Sequence, residues 1–142
     1  MSQTIQAIQE EIVEEFSLFE NKDDIYNYII ELGKNLPAFP EEHRKDDNLI
    51  KGCQSKVWIF PTMQAGSMHI HGDSDSTLVK GLVSLVLRVY SDRQPNEIVS
   101  NDLFFIDQIG LKSLLSMNRA NGLASLVKQI KLYALALQAQ GK

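Results

Sequence analysis

Cysteine occurs once in this 142-residue chain, at position 53, and that scarcity excludes a good deal of chemistry. A single cysteine makes no internal disulfide, so oxidative stapling is out and the expected setting is intracellular, most simply cytoplasmic. Histidine is also scarce, at positions 43, 69 and 71. Together these residues cannot build a Cys₄ or Cys₂His₂ zinc site or a cysteine-held iron–sulfur cluster. Basic residues are too few for a general nucleic-acid binder: 14 Lys and Arg face 18 Asp and Glu, leaving a net charge of −4. Such a binder needs a basic surface to displace counterions, so no nucleic-acid partner is expected. Long apolar runs are missing too. The longest, Leu82 to Leu87, contains Ser84 and falls far short of the ~18 residues of a membrane span. Glu10, Glu11, Glu14 and Glu15 occupy the place of a signal peptide's apolar region, so neither a membrane anchor nor a leader is expected.

What remains is an ordinary globular composition, 44% hydrophobic and 23% charged, at a length suited to one domain spanning 1–142. Ile5, Ile8, Ile12, Phe16 and Phe19 recur at helical spacing among Gln and Glu, which predicts an amphipathic helix. Ile25, Tyr28, Ile29 and Leu32 mark a second helix capped by Asn21 or Asp23. Pro37 and Pro40 break the chain, and the charged stretch up to Asn48 reads as a solvated connection. Val57-Trp58-Ile59-Phe60 predicts a buried strand, Gln64-Ala65-Gly66 a turn, and Ser67 to His71 an antiparallel partner. Leu78, Val79, Leu82, Leu85, Val86 and Val89 fit a buried helix despite their β-branched content. Short helical turns follow around Pro95 and Leu103. A long C-terminal helix runs through Leu123, Leu126, Val127, Ile130, Ala134 and Leu137, with Asn121 or Gly122 as its start signal. The fold class is α+β: a small antiparallel sheet of about three strands packed with several helices.

Chemistry points to Lys51-Gly52-Cys53-Gln54-Ser55-Lys56. The cysteine follows a glycine in a loop that leads into a buried strand. Lys51 and Lys56 are close in sequence, and positive charge favours the nucleophilic thiolate. The simpler reading, a small buried hydrophobe, competes with this one.

Gly52-Cys53-Gln54-Ser55 followed by Val57-Trp58 resembles the sulfur-acceptor motif of the SufE/CsdE family. Three more segments resemble that family in the same order along the chain. They are Glu31 to Pro37, Gly72-Asp73-Ser74-Asp75 with Val79-Lys80-Gly81-Leu82, and Leu115 to Leu123 around Arg119. The resemblance implies an α+β fold similar to the IscU scaffold. It further implies a sulfur-carrying role in iron–sulfur cluster assembly, with Cys53 accepting persulfide sulfur from a pyridoxal-phosphate cysteine desulfurase (SufS/CsdA-like). Delivery would be to a scaffold complex (SufBCD-like). Such a protein is not itself an enzyme and holds no cofactor beyond the transient sulfur, but it stimulates its desulfurase. Arg119 aligns with the family arginine and is the candidate anion stabiliser. Gln54 is a candidate hydrogen-bonding residue of the loop. Asp75, with Asp73, either shapes the loop facing Cys53 or caps the next helix. The alternative is a cysteine-based adaptor or redox-sensing protein that never carries sulfur. No metal is expected. His69 and His71 share one strand face, a spacing that could bring two ligands together, although a pair of half-exposed strand histidines is the plainer reading.

Overall fold

The computed structural model describes residues 3–52 and 55–140. In chain order the elements are α1 (Ile5–Phe16), α2 (Lys22–Gly33), β1 (Val57–Gln64), β2 (Ser67–Ser74), α3 (Thr77–Tyr90), α4 (Pro95–Ser100), α5 (Phe105–Gln108), α6 (Leu111–Leu114) and α7 (Met117–Gln140). Two single 3₁₀ turns, Glu41–His43 and Asp46–Asn48, interrupt the connection between α2 and β1. The helices begin where short polar side chains can hold otherwise unpaired N–H groups. Thr4 accepts from the Ala7 N–H, Asn21 from Asp24 and Ser76 from Val79. No helix among the described residues is long and apolar enough to cross a membrane.

The fold class is α+β as expected, and the sheet is smaller than the roughly three strands anticipated. Among the described residues β1 and β2 form a two-stranded antiparallel hairpin, with Val57 opposite Ser74 and Gln64 opposite Ser67. Ala65 and Gly66 both have positive φ, 53° and 86°, the backbone twist that a two-residue hairpin turn requires. Each outer edge is met by a single bridge, Leu49 with Trp58 and Met68 with Arg93. Neither grows into a strand. The 3₁₀ turn at Asp46–Asn48 and the positive φ of Gly52 bound one, and α4 starts at Pro95 just beyond the other.

The main core lies between the inner face of the hairpin and helices α1, α2, α3 and α7. Ile59, Met68, Val86, Ile98, Phe105 and Ile130 are fully buried in it. The first half of β1 is buried on both faces. Val57 and Ile59 join the main core, while Trp58 and Phe60 form a second cluster with Phe39. The stretch Pro37 to Asn48 is therefore not simply solvated. Phe39, with Leu49 just beyond that stretch, packs over the outer sheet face, because Trp58 and Phe60 on that face need cover, while Ile50 joins the main core. Helix α7 also starts earlier than expected. Ser116 accepts from the Arg119 N–H at its first turn, and Gly122 is a buried position inside the helix.

Helices α2 and α3 cross where Gly33 and Gly81 meet. A Cβ on Gly81 would lie 2.0 Å from the Ile29 carbonyl oxygen, and one on Gly33 would lie 2.7 Å from the Gly81 nitrogen. Both obstacles are backbone, so neither can be absorbed by a rotamer change. Gly81→Ala is expected to lower the unfolding free energy by about 1–3 kcal/mol or more, the cost of overpacking. Chemical denaturation should show a lower midpoint at unchanged slope.

Candidate functional site

The segment that carries Cys53 is a loop closed at its base. The Ile50 N–H donates to the Val57 carbonyl at 2.8 Å, directly beside the Leu49–Trp58 bridge. Gly52 adopts φ +87°, in the left-handed region that only glycine enters freely. The Gly52 backbone passes close to α7, since a Cβ there would lie 3.3 Å from the Ser125 Oγ. Cys53 and Gln54 themselves lie outside the described residues.

The loop's return arm is clasped by the β2–α3 junction. The Lys56 N–H donates to the Asp75 carboxylate at 3.0 Å, and the Asp75 N–H donates back to the Lys56 carbonyl at 3.1 Å. The Ser74 hydroxyl donates to that same carbonyl at 2.8 Å. Asp75 therefore shapes the loop, and the cap of α3 falls to Ser76. Lys51 and Lys56 are exposed.

Beneath the loop, β1, α3 and α7 leave a mostly apolar cleft of about 20 Å³, room for about one water-sized guest. Ser55, Val79, Leu82, Asn118, Arg119 and Gly122 line it. Arg119, sixty-odd residues from the loop in sequence, thus shares a cleft with Ser55, two positions after Cys53. Its guanidinium makes no ion pair with a carboxylate among the described residues.

On the outer sheet face, Asp73 receives a hydrogen bond from Arg44 Nη1 at 2.8 Å and lies 3.5 Å from Lys80 Nζ. Arg44 lies over the Trp58 ring at 4.8 Å and the Phe39 ring at 5.3 Å, so it tethers the connection 37–50 through both charge and stacking. Burial alone would raise the Asp73 carboxyl. The Arg44 bond, the Ser74 N–H and the charges of Lys80 and Arg44 outweigh it and hold the carboxyl below its usual value. Further along the same face, Phe60 is sandwiched between His43 and His71. Burial, then the neighbouring His69 and His43, push the His71 imidazole below its usual value.

The structure therefore brings Asp75 and Arg119 to the loop that bears Cys53 and Gln54, and places Asp73 in a tether behind it. The sequence alone gives Arg44 and Ser125 no part in the site, and it marks Ser74 and Lys80 only within the segments that resemble the family. Ser74 and Lys80 thus stand inside a recognisable segment, whereas nothing in the sequence around Arg44 marks it.

The chain matches the family model described as "SufE: Fe-S metabolism associated domain" over residues 10–134. It is 42% identical over 131 residues to an uncharacterised SufE-like protein of Rhizobium etli, covering 88% of each chain. A second uncharacterised SufE-like protein, from Rhizobium meliloti, is 39% identical over 127 residues, covering 86% of this chain and 91% of its relative. Among solved structures, the solution structure of a hypothetical protein from Thermus thermophilus superposes with a TM-score of 0.77. It shares 13% identity and covers 93% of this chain and 96% of its own, a likeness of fold.

The Asp73 tether has a pH signature. A carboxyl with a lowered folded value stabilises the fold fully while both states are ionised. That contribution shrinks once pH falls through the ordinary value of 3.8 and vanishes below the folded one. Asp73→Asn should therefore be less stable than the parent chain at neutral pH. The gap should close only on acidification below about pH 4, as read from denaturant midpoints across pH.

Proposed function

Because the chain belongs to the SufE family of iron–sulfur metabolism domains, we propose that it is a sulfur carrier whose cargo rides on Cys53. The donor is a cysteine desulfurase, and the receiver is an iron–sulfur scaffold complex. The Cys53 thiolate attacks the terminal sulfur of the desulfurase's persulfide. The donor's sulfur–sulfur bond breaks, a new one forms on Cys53, and the donor cysteine leaves as thiolate. A second attack, by an acceptor thiol, unloads the cargo. One thiol suffices, and the absence of a second cysteine in the chain removes the route by which an intramolecular disulfide would expel the sulfur as sulfide. The chain supplies positioning and charge, with no turnover of its own and no resident cofactor.

The observation that carries this reading is the construction of the loop. Its base is hydrogen-bonded, its return arm is clasped by Asp75, and the cleft beneath it is apolar with one cationic side chain, Arg119, on its lining. An apolar recess slows the loss of a persulfide to small thiols in water. A guanidinium beside it favours the anionic sulfur.

Incubation with a cysteine desulfurase and cysteine should add sulfur to the chain at Cys53, seen as a mass increase removed by reductant. Cys53→Ser should fold yet accept nothing and fail to stimulate the desulfurase. Stimulation without sulfur loading would instead identify an adaptor. Arg119→Ala should raise the thiol's pKa. For a rise of about one unit, the thiolate at neutral pH falls roughly tenfold, while the remaining thiolate becomes roughly threefold more nucleophilic. The expected net result is transfer slowed about threefold, with the pH profile of Cys53 alkylation displaced upward. Superimposable profiles would remove Arg119 from the chemistry.

A further inference from the structure

The outer face of β2 carries a second group of chemically capable side chains. His69 and His71 lie four to six residues from the Asp75 clasp, about 13–20 Å along an extended strand. Alternation places both on the face away from the core. Their ring centroids are 4.7 Å apart and their planes lie at 77°. Two imidazoles that bind one ion through nitrogens at about 2.0 Å, at the angles of about 90–110° found in square-planar or tetrahedral sites, hold their centroids roughly 4.5–5.2 Å apart. The observed spacing is inside that window.

Both rings are also braced. Phe60 lies flat against His71, with centroids 4.4 Å apart and planes 8° from parallel, which fixes the ring's plane. Asp92 Oδ1 lies 2.6 Å from His69 Nδ1. A carboxylate there holds the proton on Nδ1 and leaves the Nε2 lone pair free, the arrangement that backs metal-bound histidines. Among the described residues no protein group hydrogen-bonds either nitrogen of His71. The two rings line a groove of about 390 Å³ together with Asn35, Pro37, Ser91 and Asp92. Arg88 borders the same groove, but its charge is answered by Glu11 and Glu15.

We propose that His69 and His71 form a two-histidine clamp for a late first-row divalent ion, with Asp92 orienting His69 and the groove leaving the ion's other positions open. Imidazole donors suit Cu²⁺, Ni²⁺ and Zn²⁺, in the affinity order Cu²⁺ first. No group of three or more His, Cys, Asp or Glu that could hold a metal occurs among the described residues. Water therefore completes the coordination, and the site is open and exchangeable.

The test is titration of the full chain with Ni²⁺ by calorimetry, alongside His69→Gln, His71→Gln, His43→Gln, Asp92→Asn and Cys53→Ser. The parent chain should take up one equivalent. Either His69→Gln or His71→Gln should weaken binding more than tenfold, and Asp92→Asn should weaken it by about 10-fold or more. His43→Gln and Cys53→Ser should bind as the parent does. Loss of binding in Cys53→Ser, undiminished binding in the His69 and His71 variants, or no uptake by the parent chain would each overturn the clamp. Should a histidine variant fail to fold, the parent chain loaded with Cu²⁺ decides the matter. Its electron paramagnetic resonance spectrum should show hyperfine coupling to two imidazole nitrogens, and a spectrum without nitrogen coupling refutes the site.

Discussion

The two-stranded hairpin is apolar on both faces at one end, and much of the remaining architecture answers that constraint. An isolated hairpin is marginal in water, and its edges invite further pairing. Here Val57 and Ile59 go to the main core while Trp58 and Phe60 point the other way. Helices cover the first face. The second is covered by the connection 37–50, which brings Phe39 and Leu49 against the aromatics and Arg44 over them. The same connection leads directly into the cysteine loop. Burying Trp58 and Phe60 thus fixes where that loop begins.

The loop's other limits come from sequence-distant elements. Asp75 pairs with Lys56 through two bonds, one from backbone to side chain and one between backbones, so the end of β2 sets the exit of the loop. Helix α7 sets its floor. Gly122 sits at the cleft, and Arg119 lies one turn earlier on its lining. Glycine at a buried helical position costs helix propensity, about 1 kcal/mol relative to alanine. That glycine stands on the lining of the cleft.

Most of the elements were legible because their periodicity is unambiguous. The 3.6-residue spacing of Leu82, Val86 and Val89 outweighed their β-branched character, and α3 is a helix. The alternation of Met68 and Ile70 against His69 and His71 gave the faces of β2 correctly. Misreadings arose where tertiary contacts overrode local signals. The stretch Pro37 to Asn48 reads as solvated by charge, yet Phe39 is buried and Arg44 lies on aromatic rings. Gly122 reads as a helix start by propensity, yet lies within α7. Of the candidate site, the resemblance draws attention to Asp75 and Arg119, which the structure places on the loop's return arm and on the lining of the cleft. The Arg44–Asp73 pair was not legible, since neither partner's sequence neighbourhood specifies the other.

That pair is the mechanical link between the two faces of the protein. Asp73 stands opposite Trp58 in the strand register and holds Arg44, which lies on that same tryptophan ring. One position further along the chain, Ser74 reaches the Lys56 carbonyl from the opposite strand face, and Asp75 closes the clasp on the loop. Cover and clasp are therefore secured within three consecutive residues. A charged, partly buried tether is a costlier device than an apolar contact of equal size. It is also more directional, because Arg44 must meet a carboxylate at one place and two ring faces at another. An apolar contact would hold the connection 37–50 against the sheet but leave it free to slide. The ion pair fixes its register, and with it the point from which the chain sets out toward Gly52 and Cys53.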